Sequence, residues 1–391
     1  MAIYKYYVDN VSGATGNGGT GPDDAFYTIQ QAVDGVSADI SDLKNIAFVY
    51  VKATGVTYSE ENLSGFPTAQ IRFIGTNESF VPDGTRVPWA NSTARYIQDY
   101  GIGGTPNMLF QYFNFHMGYG SGIQLQSGVK TTFQSCNFYG IGSGDFIYSN
   151  TGGYNHWCQL IDCYVENMGN FNYPASGYNS LGLCAYTHFK NCIPRSRQSG
   201  ATLLTMINCI IEDKEVDYTI YNNYAFINCL FKNSRLELGD RSAMPDGYAH
   251  PFVINCSFVD SPSYAIEDAY NTEDDYLAFF LNNHFHGSVS GNFNFQNNFD
   301  INDYPEAIAA TADPVFRDET GGGTYGYAPT TSSVLYGTGL FGNDIGPIKG
   351  VFTTTDSGSF DGSTGGVGDT LSVSGRSYQL IQDNPRVWRR V

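Results

Sequence analysis

Four carboxylates and a group of arginines carry the clearest chemical promise in this sequence. Glu237 follows Arg235 in Ser234-Arg235-Leu236-Glu237-Leu238, Asp240 and Arg241 lie just beyond, and Glu267-Asp268 comes further on. Two carboxylates at a suitable separation can hydrolyse a glycosidic bond, one as acid and the other as base or nucleophile. A lyase would use a base to remove the proton beside a sugar carboxylate, with Arg or Ca²⁺ holding the developing charge. The same residue types also suit a structural column. Glu166, Arg195, Glu212 and Lys232 each fall three positions after a recurring cysteine and alternate in sign, which is a favourable way to stack charges. His284-x-His286 would put two imidazoles on one strand face, with no third metal ligand in view. The run Glu273-Asp274-Asp275 could hold Ca²⁺, although a lone acidic triplet is by default a solvated loop. No cofactor is therefore expected beyond that candidate Ca²⁺. From Arg376 onward, Arg376, Arg386, Arg389 and Arg390 accompany Trp388 against Asp383 alone. A basic, aromatic end on an acidic chain suits docking to a partner; the alternative is a tail folded back on its own acidic surface.

The element that must position these residues is a repeat: apolar residues, Asn, Cys, a variable residue, an apolar residue. It reads Ile207-Asn208-Cys209-Ile210-Ile211, Ile227-Asn228-Cys229-Leu230-Phe231 and Ile254-Asn255-Cys256-Ser257-Phe258, with weaker copies on both sides. The mark falls at Phe113, Cys136, Cys163, Cys192, Cys209, Cys229, Cys256, Asn283 and Asn297. Units of this size cannot bury an apolar face alone and must stack on their neighbours. The segments are short, β-branched or aromatic, and bounded by Gly, Asn, Ser and Asp, which predicts rungs of three short strands and three turns. Asn191, Asn208, Asn228, Asn255 and Asn282 would occupy one bend of successive rungs, because Asn tolerates the left-handed backbone of a sharp turn. Their amides could then hydrogen-bond along the column. The six marked cysteines would point inward as small hydrophobes, since parallel side chains in register do not aim at each other as a disulfide requires. Cys158 and Cys184 lie off this rail, and their pairing stays open.

This pattern resembles the right-handed parallel β-helix of the pectin-lyase-like superfamily. Gly19–Val33 is similar to that family's N-terminal segment, a Gly-rich loop before a short capping helix, predicted here from about Asp24 to Val36. Asp313-Pro314-Val315-Phe316, Ser332–Gly337 and Asn343–Gly346 are similar to its closing segment. The resemblance implies an all-β solenoid with a cap over residues 1–40 and a β-helix over 41–350. A Gly/Ser/Thr-rich linker over 351–368 and a small C-terminal β module over 369–391 would follow. Ile46–Val51 and Ile71–Ile74 read as its first strands. The resemblance implies a substrate groove along one face, but the Asp, His and Arg signatures of the family's pectate lyases and polygalacturonases are not recognisable. No catalytic residue carries over.

The net charge of −18 argues against a nucleic-acid backbone or an anionic membrane as partner. The chain holds 29 Tyr and 27 Phe, so after the inward columns are filled some Tyr remain to contact sugar rings. The start shows no basic segment followed by an apolar one, and no run reaches transmembrane length. Taken together, these features lead to the expectation of a structural or adhesive protein on a bacteriophage virion: a tail fibre, a tailspike-like part or a head decoration. Its partners would be other virion proteins, through the C-terminal tail, and a host surface glycan. A homotrimer is the candidate assembly. The alternative is a polysaccharide lyase or glycoside hydrolase acting on an extracellular polymer.

Overall fold

Strand alternation dominates the chain: Ile46–Lys52 and Asn107–Gln111 bury every second residue. A stack of such strands has one buried face and one outer face. In the computed structural model, the residues described are 2–40, 42, 44–60, 63–67, 69–91, 107–118, 130–141, 156–168, 180–192, 203–213, 223–234, 252–260, 283, 330 and 332–333, together with the remaining strands named below.

Three parallel sheets wind through the first unit, Met1–Pro347. The first sheet has eleven strands in chain order: Ile3–Val8, Ile46–Lys52, Gln70–Thr76, Asn107–Gln111, Lys130–Gln134, His156–Ile161, Ser180–Ala185, Leu203–Ile207, Asn223–Ile227, Phe252–Ile254 and Phe279–Leu281. The second has ten, running from Val87–Asn91 through Phe113–Met117, Asn137–Tyr139, Tyr164–Glu166, His188–Lys190, Ile210–Glu212, Leu230–Lys232, Ser257–Val259 and His284–Phe285 to Ile308–Ala309. A third is built from Ile97–Gln98, Ile123–Gln124, Ile147–Ser149 and Tyr173–Pro174, and Leu236–Leu238 pairs separately with Ile266–Asp268. Each strand pairs with its equivalent one rung on, which is the winding of a parallel β-helix. Inward aromatics stack through the core, Phe73 on Phe110 at 4.7 Å, Phe115 on Phe138 at 4.9 Å and Phe231 on Phe258 at 4.5 Å.

The solenoid begins earlier than the sequence predicts. Ile3–Val8 already pairs in register with Ile46–Val51. The helix begins later, at Ile29, and runs to Asp39. Phe26 is held extended, its N–H on the Tyr7 carbonyl and its carbonyl accepting from Asp9 N–H, both at 2.8 Å. Thr28 and Gln31 then form a reciprocal capping box, which fixes the start. Glu60 Oε1 accepts Ile29 N–H at 2.7 Å, a further cap from outside the helix.

Two corners recur among the described residues of successive rungs, and this corrects the predicted columns. Left-handed backbone recurs at Tyr112, Ser135, Asp162, Tyr186, Asn208, Asn228 and Asn255, between the first and second sheets. It recurs again at Asn167, Asn191, Asp213, Asn233 and Asp260, after the second-sheet strand. Asn191 thus belongs to the second corner, not to the column of Asn208, Asn228 and Asn255. The amide ladder is clearest there: Asn191 Nδ2 donates to Asn167 Oδ1 at 2.7 Å and Asn233 Nδ2 to Asp213 Oδ1 at 3.1 Å. At the first corner the Asn228 Oδ1 atom is buried without a hydrogen bond. Asn282 lies outside the described residues. Gly75 and Gly140 sit under these corners, where a Cβ would come within 2.1 Å of the Tyr112 carbonyl oxygen and 2.5 Å of that of Asn167.

The rail shifts with the corners. Pairing of His188 with Tyr164 and Ile210 places Thr187, not Cys192, on the column of Cys136, Cys163, Cys209, Cys229 and Cys256. The rail is more than a row of hydrophobes. Cys136 Sγ donates to Phe110 O, Cys163 to Phe133 O, Cys209 to Cys184 O, Cys229 to Met206 O and Cys256 to Phe226 O, all between 3.3 and 3.5 Å. Thr187 Oγ1 donates to Leu160 O at 3.3 Å, and Asn283 Nδ2 to Val253 O at 2.9 Å. From Cys136 to Asn283 each rail residue thus supplies a small inward donor to a carbonyl of the preceding rung, while Phe113, one rung before Cys136, fills the same column with a ring. All eight cysteines are buried free thiols. Cys158 is in register with Gly182 and Cys184 with Leu160, so these two do not pair.

The second unit, Ile348–Val391, contains an antiparallel three-stranded sheet of Thr370–Val373, Arg376–Asp383 and Arg386–Arg390. Arg376 is in register with Val373, Arg386 with Asp383, Trp388 with Leu380, Arg389 with Gln379 and Arg390 with Tyr378. The linker at 351–368 lies outside the described residues, as does most of the closing segment.

Candidate functional site

In Asn137–Tyr139, Tyr164–Glu166 and His188–Lys190 the first and third residues point outward and the one between them is buried, and Asn114 and His116 flank the buried Phe115 in the same way. With the corner residue this gives three outer positions per rung. Over four rungs they read Tyr112, Asn114, His116; Ser135, Asn137, Tyr139; Asp162, Tyr164, Glu166; and Tyr186, His188, Lys190. Rungs repeat at about 4.8 Å, so this surface extends roughly 14 Å along the solenoid.

The surface is aromatic and polar at once. His116 stacks on Tyr139 at 5.0 Å, Tyr139 lies 6.0 Å from Tyr164, and Tyr164 meets His188 edge-on at 5.2 Å. Asn137 Nδ2 donates to Asn114 Oδ1 at 3.0 Å and to the Tyr139 hydroxyl at 3.2 Å. The column of alternating charge is present, with one member corrected. Lys190 stands between Glu166 and Glu212, and Lys232 follows; Arg195 lies outside the described residues. His188 Nε2 approaches Glu212 Oε2 at 3.0 Å, and Lys232 Nζ approaches Glu212 Oε1 at 3.7 Å. Burial, and then the neighbouring Glu166 carboxylate, push the Tyr164 phenol up.

At the corner edge of this surface, Arg86 Nε donates to the Ser135 carbonyl at 2.9 Å and Ser135 Oγ donates to Asp162 Oδ2 at 2.8 Å. The rest of the Arg86 guanidinium and the hydroxyls of Tyr112 and Tyr186 make no bond to another described residue. Burial first, and then Asp162, raise the Tyr112 phenol, with Arg86 opposing. Tyr112 and Tyr186 adopt φ of 61° and 52°. Left-handed backbone is unfavourable for a bulky side chain, by about 1 kcal/mol or more relative to Gly or Asn. Such cost often accumulates where a side chain must be presented. The arrangement offers rings for stacking, amides and a carboxylate for hydroxyl groups, and a guanidinium for an anionic or hydroxyl oxygen.

The predicted catalytic carboxylates lie elsewhere. Glu237 and Glu267 are in register on adjacent strands, about 4.8 Å apart at Cα, with Asp268 paired to Leu238. Asp240, Arg235, Arg241, the Glu273-Asp274-Asp275 run and His286 lie outside the described residues. Among the described residues no group of three or more His, Cys, Asp or Glu is arranged to hold a metal, and no helix is long and apolar enough to cross a membrane. The sequence reading passed over Tyr112, Tyr139, Tyr164, Tyr186, His116, His188, Arg86 and Asp162. Their signal is present only once Thr187 is put on the rail, because misplacing that rung by five residues hides Tyr186, His188 and Lys190. No family model and no curated protein matches this chain.

Proposed function

We propose that this chain is a structural, adhesive protein of a bacteriophage virion surface, as a tail fibre, tailspike-like part or decoration, and that it contacts saccharide through the outer face of its second sheet and the adjoining corner. The observation that carries the reading is the four-rung surface of Tyr, His and Asn, edged by Arg86 and Asp162 and bearing two tyrosines on left-handed backbone. Aromatic faces next to fixed polar groups suit a ring that is apolar on one side and hydroxylated at its rim. The rigid coil positions these groups without ordering a loop on binding. Arg376, Arg386, Trp388, Arg389 and Arg390 in the C-terminal sheet are the proposed docking residues toward other virion proteins. The test is calorimetric titration with a panel of neutral and acidic bacterial surface polysaccharides, with product analysis of the same mixtures. Binding that weakens at least tenfold on Tyr139→Ala with Tyr164→Ala, without cleavage, supports the reading. Mass spectrometry of purified particles checks the virion placement, which absence of the chain would refute.

A depolymerase is the second reading, favoured by the register of Glu237 with Glu267 on neighbouring strands. Carboxyl groups about 5 Å apart are the spacing of a retaining glycosidase. New reducing ends or unsaturated sugar absorbance, lost on Glu237→Gln, would replace the adhesive reading with this one.

A further inference from the structure

Cations are scarce in this chain, 20 Lys and Arg against 38 Asp and Glu, and several stand beside an acid. Lys52 holds Asp9 at 2.9 Å, Lys232 approaches Glu212 at 3.7 Å, and Lys190 is in register with Glu166 and Glu212. Lys5, Arg72 and Lys130 differ. All three occupy outward positions of the first sheet, and none makes an ion pair or side-chain hydrogen bond to another described residue. Lys5, Phe48 and Arg72 are in register on the first three strands. Gln70, two residues before Arg72, leads in register through Asn107 to Lys130. A cation thus recurs at every second rung along a slanted line, in steps of roughly 10 Å. None of the strands from Ile3–Val8 to Lys130–Gln134 in this sheet contains Asp or Glu. The acids that flank them in sequence are Asp9, held by Lys52, with Asp42 and Glu78 outside the strands.

Packed rings support the start of this line. Tyr7 stacks on Tyr50 at 5.4 Å, Tyr50 on Phe48 at 6.3 Å, and the Arg72 guanidinium lies over Phe48 at 5.3 Å. The Tyr7 and Tyr50 hydroxyls make no bond to another described residue and add donors to those of Lys5 and Arg72. We infer that this face binds an acidic saccharide polymer bearing one carboxylate on every second sugar. A planar carboxylate fits the fork of the Arg72 guanidinium. One sugar of an extended polymer advances about one rung, so carboxylates on alternate sugars meet Lys5, Arg72 and Lys130 in turn. A polymer charged on every sugar would set further carboxylates over the uncharged rungs of Phe48 and Leu109. The site is separate from the second-sheet surface and does not rest on it.

Calorimetric titration of the full chain at low salt with unsulfated chondroitin oligosaccharides, whose carboxylates fall on alternate sugars, tests the inference. Binding is expected, and it should weaken as salt rises. Reducing the carboxyl groups to alcohols should cost at least about tenfold, as should Lys5→Gln with Lys130→Gln, which removes two exposed cations without disturbing the stacked rings. Lys5→Arg with Lys130→Arg should restore affinity. Tyr139→Ala with Tyr164→Ala should leave it unchanged. Oligogalacturonate, charged on every sugar, should bind more weakly. No binding of chondroitin, equal binding of its reduced form or of oligogalacturonate, or indifference to the Gln substitutions would overturn the inference. Loss on the Tyr139 and Tyr164 substitutions instead would move the acidic polymer to the second sheet and overturn this site while leaving that surface standing.

Discussion

A small inward donor recurs on seven successive rungs, from Cys136 to Asn283, and its chemistry rather than its identity is what the fold uses. Cys, Thr and Asn all fill the rail, and each donates to a carbonyl of the rung before. Thr187→Cys should therefore be close to neutral, whereas Thr187→Val keeps the volume and removes the donor, costing about 1 kcal/mol in urea unfolding. Equal losses for the two would refute the donor role. The corner tyrosines make the opposite case. Replacing Tyr112 or Tyr186 by Asn relieves left-handed strain and should stabilise by about 1 kcal/mol, yet weaken saccharide binding. If Tyr186→Asn lowers stability, or leaves binding untouched, strain at this corner has no connection with ligand. In the sequence the rail was legible wherever its residue was Cys and illegible where it was Thr, because a repeat recognised by residue name fails when another donor does the same work. Cys192 took that place by name alone; it follows Asn191 at the second corner, where Ser234 follows Asn233.

At the scale of elements, strand grammar was readable because alternation and turn residues are local, and the parallel coil followed from them. The start of the helix was less readable, since the extended Phe26 is set by its bonds to Tyr7 and Asp9, across the chain. Two acids test this end of the solenoid with opposite signs. Asp9 is buried, which raises its carboxyl, but Lys52 at 2.9 Å and the N–H groups of Ser12 and Val11 outweigh that and hold it below its ordinary range. Its contribution is complete above the unfolded-state value and is lost as pH falls through the folded one. Lys52→Met leaves that carboxylate buried without its cation and should cost roughly 3 kcal/mol at neutral pH, less in acid. Glu60 behaves the other way: burial lifts its carboxyl above the usual range despite the Ile29 N–H, so its contribution is present in acid and fades as pH rises through the folded value. Glu60→Gln should match the wild type's melting temperature near pH 4 and exceed it at pH 7. A variant less stable at pH 7 would show that the carboxylate is needed to cap the helix.

On the scale of the whole molecule, removal of residues 369–391 tests docking. Particle incorporation should be lost while saccharide binding persists, and loss of both would tie the C-terminal sheet to the solenoid's stability instead. What the sequence could not show is which outer columns stand side by side, because that depends on loop lengths that vary from rung to rung. The second-sheet surface is assembled entirely by that alignment. Its most direct test is hydrogen exchange with and without a bound bacterial oligosaccharide. Added protection should concentrate in residues 112–116, 135–139, 162–166 and 186–190; protection confined to the Leu236–Leu238 and Ile266–Asp268 pair, or to the first sheet, would contradict the assignment.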